Sequence, residues 1–508
     1  MSALADPATF RQVLLGLLAD VPEDAPALAE RDVRGEPRLL VDGELLGASD
    51  GGTFPVVDPS TGATIGEAAD GTTADMERAI AAARRAFDET SWSGDAGFRA
   101  RCIRQLQAAL AEEREALRRD LVAEIGCAVR MTYGDQLDRP IEKLGFYADT
   151  AERYHYSTRI GDTLLLREPL GVVGAITAWN IPIELELAKV GAALAAGCTV
   201  VLKPSPLSPW AGTHLGRLAV ENTDLPPGVF NVVSSSSNDV AALLTTDPRI
   251  DAVGFTGSTM TGKRVMAAAA GTVKRVMLEL GGKSANVLLD DVDFEAVVPL
   301  AASFACFNAG QSCILPSRLL VPERHAERCV ELAAEGLQNV PWGDPTDPSN
   351  FMGPLINEAQ VERVQGMVDR AKASSRLVAG GSRVDRGGGY WFEPTLFADV
   401  RRDSELAQEE VFGPVLAVIP YRDEDDAVAV ANDTVYGLAG YVWSGDPEHG
   451  TAVARRLRAG MVAVNGGSFI GADLPFGGRR QSGVGREWGV DGFEEFLDLK
   501  TVGVGSIS

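Results

Sequence analysis

Along the chain the spacing of apolar residues changes, and the changes divide it into segments. From 75 to 124 they recur every three to four residues, the period of an amphipathic helix. From 171 to 289 short unbroken apolar runs alternate with helical stretches. The runs are GVVGAIT (171–177), CTVVLK (198–203), VFNVVS (229–234), DAVGFT (251–256) and KRVMLEL (274–280). Unbroken Val/Ile/Leu strands joined by helices predict a parallel sheet covered on both faces. A second alternating series runs from about 285 to 465, with NVLL, RLLVP, VLAVIPY, GYVW and MVAVN as its strands. The fold class expected is therefore α/β: two doubly wound domains with parallel sheets and a cleft between them. LLVDGELL and TFPVVDPSTGATIGEAAD, near residues 39–70, predict short strands and turns, and LDLKTVGV (497–504) predicts a last strand able to add to a neighbour's sheet. Residues 1–35, rich in Ala, Asp, Glu and Pro, predict a helical or loose extension.

Composition narrows the function classes. A chain of 508 residues with 45% hydrophobic and 23% charged residues is globular and long enough for two or three domains. Its net charge of −24 repels phosphate backbones and anionic lipid, so neither nucleic acid nor membrane is an expected partner. The most apolar stretch, 170–202, carries Glu184, Glu186 and Lys189 and is broken by Pro182; it predicts a soluble core and not a membrane span. No secretory leader pattern opens the chain, and the six cysteines show no CxxC. Both features predict a cytoplasmic protein with reduced thiols. The four histidines lie far apart in sequence, and no metal site is predicted.

Two glycine motifs invite nucleotide readings and fail on chemistry. Gly257 to Lys263 has the GxxxxGK spacing of a phosphate loop, but position 264 is Arg where a magnesium-binding hydroxyl belongs. Gly483-Val-Gly485 with Gly489 imitates a dinucleotide fingerprint, yet no βαβ unit follows it. It predicts a turn before a helix.

Three other residues carry candidate chemistry, each with a structural alternative. Cys313, in FNAGQSCILPSR, is reached through Gly310-Gln311-Ser312 and predicts a loop thiol able to act as a nucleophile; a small core residue is the alternative. Cys306, seven residues earlier, fits the core role. Glu279 ends an apolar strand before Gly281-Gly282, where α/β clefts open. It is a candidate general base if burial raises its pKa, or a rim partner for Lys274, Arg275 or Lys283. Asn180 precedes Ile181-Pro182 and is either a helix N-cap or an oxyanion donor. Loss of one such donor typically costs about 3–4 kcal/mol of transition-state stabilisation.

From about Leu39 to the C-terminus the sequence resembles the aldehyde dehydrogenase superfamily. The stretches that carry the likeness are AWNIP (178–182), KPSPLSP (203–209), FTGST (255–259), LELGGKS (278–284), GQSC (310–313), EEVFGPV (409–415) and PFGGRRQSGVGRE (475–487). The resemblance implies an NAD(P)-dependent enzyme that oxidises an aldehyde to the free acid through a thiohemiacetal and a thioester. In that scheme Cys313 is the nucleophile, Glu279 the base for the hydrolytic water, Asn180 an oxyanion donor and Lys189 part of a proton relay. Lys203 would contact the adenosine ribose, Trp179 and Ser258 the pyrophosphate, and Glu410 the nicotinamide ribose with Phe412 beside it. Separations of 34 residues from Glu279 to Cys313 and 97 from Cys313 to Glu410 fit the same pattern.

The resemblance also implies a dinucleotide-binding domain (36–146 and 170–281), a catalytic domain (282–481) and an oligomerisation arm (147–169 and 482–508), following the extension 1–35. A homo-oligomer, dimer or tetramer, is expected. Ile181, Leu185, Ile314, Phe469, Ile470 and Phe476 are expected to line the substrate site, which favours hydrophobic or aromatic aldehydes. Ala188, where many members carry Trp, makes that site roomier. NAD is the expected cofactor; Pro206 replaces the Glu that many NAD-preferring members place on the adenosine ribose, which leaves NADP open. The alternatives are a cofactor-independent cysteine esterase or hydrolase and a non-catalytic binding protein of the same family. Glu279 argues against transfer of the acyl group to coenzyme A.

Overall fold

The structure, a computed structural model, describes residues 7–18, 21–22, 28 and 33–505. The rest of the 1–35 extension and the last three residues of the 482–508 segment lie outside the described residues.

The first apolar series forms the middle of an eight-stranded sheet. Its order is Glu44–Leu46, Leu39–Val41, Phe230–Val232, Thr199–Lys203, Val172–Ile176, Ala252–Thr256, Arg275–Glu279 and Gly483–Val484. The five inner strands are parallel; Leu39–Val41 and Gly483–Val484 run antiparallel to them, and Glu44–Leu46 pairs antiparallel with Leu39–Val41 at the edge. Val172–Ile176, Thr199–Lys203 and Ala252–Thr256 are buried at every position, which is why their sequences do not alternate. From Val172–Ile176 the chain winds outward through Thr199–Lys203 and Phe230–Val232, then returns to the other side at Ala252–Thr256. That reversal leaves a crevice beyond the carboxyl ends of Val172–Ile176 and Ala252–Thr256, the place where open α/β sheets take ligands.

The second series forms a seven-stranded sheet in the order Arg376–Ala379, Thr395–Ala398, Val415–Tyr421, Arg318–Pro322, Ala285–Leu288, Ala439–Trp443 and Met461–Val464. Only Arg376–Ala379 is antiparallel. Two of its strands, Arg376–Ala379 and Thr395–Ala398, flank the glycine-rich segment 380–389 and were not foreseen. The helical period of 75–124 resolves into Thr73–Glu89, Ala96–Glu112 and Arg114–Ile125; the first is closed by a capping box between Thr72 and Asp75.

The segments 147–169 and 482–508 are shared between a helix, a small third sheet and the first large sheet. A boundary at 147 cuts through one helix, Asp138–Arg153, whose buried face carries Leu144, Tyr147 and Ala151. The arm's strands begin at Ser157, and Ser157–Ile160, Thr163–Pro169 and Leu497–Gly503 make a three-stranded antiparallel sheet. The last strand thus pairs within its own chain. Between 482 and 496 the chain belongs to the first sheet instead: Gly483–Val484 pairs with Arg275–Glu279, and the helix Gly489–Glu494 packs on Pro182–Ala196. Residues 7–16 are helical, with Phe10 and Leu14 buried in the main core. Among the described residues no helix is long and apolar enough to cross a membrane.

Candidate active site

A cavity of about 330 Å³ opens where the two sheets meet, and its wall takes in the crevice of the first sheet. Trp179 and Asn180 reach it from the loop after Val172–Ile176, and Gly257 and Ser258 from the loop after Ala252–Thr256. Glu279 lies at the end of its strand. The second sheet contributes loops that precede its strands: Cys313 before Arg318–Pro322, and Glu410 and Phe412 before Val415–Tyr421.

Cys313 sits in a turn after a kinked 3₁₀ segment, Phe304–Gly310. Within that segment Asn308, Ala309 and Gly310 all have left-handed backbone, with φ of 49°, 55° and 75°. A Cβ on Gly310 would overlap the Gly413 backbone, and one on Gly282 would overlap the Cys313 carbonyl oxygen. Glycine is required at both because backbone, not a flexible side chain, occupies the space. Cys306 is fully buried in the same segment, the core role expected of it. Burial first, and then the Glu279 and Glu410 carboxylates, push the Cys313 thiol up from its ordinary value.

Asn180 is not the helix cap. Pro182–Ala196 starts after Ile181 with no side-chain cap, and Asn180 Nδ2 instead donates to the Gln311 carbonyl oxygen at 3.1 Å. The Asn180 carbonyl oxygen accepts from Gln136 Nε2 and Asn308 Nδ2, each at 2.9 Å, and Asn308 Nδ2 also reaches the Gln311 carbonyl at 3.2 Å. Gln311 Oε1 accepts the Ile356 backbone N–H at 2.9 Å. This buried amide network ties the Asn180 turn to the Cys313 loop, and the sequence reading contained neither Gln136 nor Asn308. Amides scattered over nearly two hundred residues have no local pattern to betray them.

Among the described residues Glu279 has no rim partner. Lys274 Nζ donates to the Asp247 carbonyl, Arg275 Nη1 to the carbonyls of Glu495 and Leu497, and Lys283 is buried apart from it. Neither Glu279 oxygen meets a donor at bonding geometry among the described residues. Burial, then the charge of Glu487, push its carboxyl well above the usual carboxylate range, against the pull of Lys189 and Arg486. Lys189 Nζ lies 2.5 Å from Thr256 Oγ1 and is paired with Glu487. Thr256 and Glu487 both line the cavity, so Lys189 touches it through them. Glu487 stands in PFGGRRQSGVGRE and was given no role by sequence; its partner is 298 residues away.

On the other side Glu410 Oε1 accepts the Gly282 backbone N–H at 3.0 Å, and burial pushes this carboxyl up to about 7. A Cβ on Gly281 would overlap Glu410 Oε2. Phe412, at φ 61°, meets Trp179 edge to face with centroids 5.5 Å apart. Ser258 caps Thr259–Ala269 by accepting the Thr261 N–H at 3.2 Å, which leaves the helix's first amides beside the cavity. Lys203 ends its strand, where burial lowers its pKa to about 8 and Asp70 pulls it back up. It is not on the cavity wall. Asp70 is held by Ser235 and Ser236, so the serine run forms the edge of that corner.

The aldehyde dehydrogenase family profile matches residues 47–502. The chain belongs to the aldehyde dehydrogenase family. Among characterised relatives it is 40% identical to the 3-succinoylsemialdehyde-pyridine dehydrogenase of Pseudomonas sp, covering 93% of this chain and 98% of that protein. It is 37% identical to the mitochondrial succinate-semialdehyde dehydrogenase of Arabidopsis thaliana, covering 92% and 89%. Among solved structures, a cysteine-to-alanine mutant of Pseudomonas syringae aldehyde dehydrogenase C in complex with NAD+ and octanal superposes with a TM-score of 0.90. Identity there is 40%, over 93% of this chain and 99% of that one.

Within this aldehyde dehydrogenase the expected wall is mostly in place. Ile181, Leu185, Ile314, Ile470 and Phe476 line the cavity. Phe469 does not; its ring lies against Tyr441, with centroids 5.7 Å apart, in a small apolar cluster behind Cys313. Phe304, Phe307 and Trp488 line the cavity without having been foreseen, as do the carboxylates of Asp135 and Glu184.

Proposed function

We propose that this protein oxidises a bulky, neutral, apolar aldehyde to its free carboxylic acid, using a nicotinamide dinucleotide and the Cys313 thiol. The observation that carries this reading is the meeting of Cys313, Asn180 and Glu279 in one cavity with Trp179, Ser258, Glu410 and Phe412. The residues fit the cofactor: Glu410 Oε2 takes no bond from the Gly282 amide, the side-chain-free Gly281 lies beside it, and helix amides stand at Ser258 for a pyrophosphate. When bound, NAD(P)+ supplies the hydride acceptor that turns the Cys313 adduct into a thioester. NAD is the cofactor read here, as in the complex of the Pseudomonas syringae relative; Pro206 leaves NADP open.

The chain's own residues do the rest. The Cys313 thiol passes its proton to the Glu279 carboxylate in the same cavity, Sγ attacks the aldehyde carbon, and the Asn180 amide with the Cys313 backbone N–H holds the oxyanion. Gln136, Asn308 and Gln311 keep that amide aimed. Glu279 takes a proton from the water that cleaves the thioester, and burial, by raising its pKa, makes it a stronger base than an exposed carboxylate. Lys189, through Thr256 and Glu487, passes the proton onward.

The wall supports an apolar substrate: Ile181, Leu185, Phe304, Ile314 and Phe476 line the cavity that holds the thiol, Glu184 and Glu487 are paired with Lys143 and Lys189, and the lining cation Arg363 is engaged by the Glu410 carbonyl oxygen. Ala188 is buried behind this wall, and no arginine stands at that position for a substrate carboxylate. The octanal held by aldehyde dehydrogenase C fits such a wall better than the semialdehydes named for the other two relatives. The protein is read as a cytoplasmic homo-oligomer assembled through the arm.

Cys313→Ala is expected to abolish oxidation while leaving cofactor affinity nearly unchanged. Glu279→Gln is expected to give a burst of reduced cofactor followed by little steady turnover, read by absorbance in stopped flow. An aldehyde panel on which succinic semialdehyde shows the highest kcat/KM would overturn the substrate class.

A further inference from the structure

The helix Pro7–Gly16 lies ahead of the family-matched segment 47–502 and is tied to the enzyme by its own apolar face. Phe10, Leu14 and Leu18 recur every four residues, one face of a helix, and each is at most 3% exposed. They enter the main core, and the helix packs on Phe294–Ser303, the helix that runs directly into Phe304 of the cavity wall. Leu17 N–H donates to the Leu14 carbonyl and Leu18 N–H to the Leu15 carbonyl, each at 3.2 Å, so the helix ends in a hydrogen-bonded turn.

Leu17, held between these anchors, is 50% exposed and lines the same cavity as Cys313. Leu185, Ile181, Phe304 and Phe307 share the wall. A leucine kept half in water on an apolar wall loses that contact with water when an apolar chain is laid along it. We propose that the N-terminal helix is a working part of the substrate site, and that Leu17 is a specificity-determining residue favouring aldehydes with long apolar tails. The inference rests on the reading of this cavity as the aldehyde site. It extends that site to a segment outside the matched family region. Short aldehydes reach Cys313 without the helix; long ones gain from it.

The test compares kcat/KM for decanal and propanal in the unaltered protein, Leu17→Ala, Leu17→Gln and Leu14→Asp. Leu17 is half exposed, so its variants keep the fold, and their melting temperatures serve as the check. Leu14→Asp places a charge in the core and releases the helix. The decanal-over-propanal ratio is expected to fall about fourfold in Leu17→Gln, the worth of roughly one buried methylene, chiefly through KM. Leu14→Asp should fall at least as far. An unchanged ratio in both Leu17 variants overturns the proposal. Should the unaltered protein oxidise neither aldehyde, the aldehyde reading itself falls. The same variants titrated calorimetrically with 1-decanol then decide the helix's part, and equal affinity across them overturns it.

Discussion

Glu279 and Glu487 face the same cavity with Lys189 behind them, and the charge balance among the three sets when the base is free. Burial and Glu487 both raise the Glu279 pKa, so the hydrolytic limb should climb with pH through a value well above the usual carboxylate range. Removing the neighbouring charge in Glu487→Gln is expected to move that limb to lower pH, measured as the pH profile of thioester hydrolysis. An unmoved profile would mean that burial alone governs Glu279. Glu410 supplies a stability test. Its pKa is raised from 4.5 to about 7, so the folded state binds more protons than the unfolded state between those values. Its contribution is therefore fully present below pH 4.5 and lost as pH rises through 7, at a cost of about 3 kcal/mol for holding a buried carboxylate. Glu410→Gln keeps an acceptor for the Gly282 amide, so it should raise the melting temperature at pH 8 and leave it unchanged at pH 4. At this scale the sequence exposed Cys313, Glu279 and Asn180 because each sits in a short motif beside glycine or proline. Gln136, Asn308 and Glu487 stayed hidden because their function lies in partners far along the chain.

The loop that carries Cys313 is an element defined by backbone crowding. Gly310 and Gly282 lie against main-chain atoms that cannot swing aside, so Gly282→Ala should displace the Cys313 turn and cut kcat far more than cofactor affinity. Asn308→Ala acts at the same element. It removes the bonds to the Asn180 and Gln311 carbonyls and should cost about 1–3 kcal/mol of stability, read by urea titration, together with a fall in kcat. Elements buried on both faces were legible, because their Val/Ile/Leu runs admit no polar alternation. The strands Arg376–Ala379 and Thr395–Ala398 were not: the first is partly exposed, the second is buried throughout but only four residues long with no Val or Ile, and the segment 380–389 between them is rich in glycine. Nor was the helix Asp138–Arg153, whose period runs unbroken through Tyr147.

Across the whole molecule, the arm sheet has two open edges and exposes Ile160 and Leu499 at 65% and 62%. Open edges and exposed apolar side chains on one small sheet suit a second copy of the chain. Ile160→Glu with Leu499→Glu is expected to lower the molecular mass seen by light scattering while leaving the melting of the two large sheets nearly intact. The two sheets themselves were readable as two alternating series; the small sheet was less so, because its strands are mostly in contact with water and lack an unbroken apolar run. The antiparallel edge strand Gly483–Val484 has a consequence for how the enzyme comes into being. Its main chain pairs with Glu279, Ser482 Oγ donates to the Gly281 carbonyl, and Glu487 engages Lys189. A nascent chain extended only to Val464 already contains every strand of the second sheet, yet lacks the ribbon that borders Glu279, the proposed proton acceptor. Such a chain can fold most of its mass on the ribosome and still be inert, so catalytic competence arrives only when residues 483–487 have left the exit tunnel and docked.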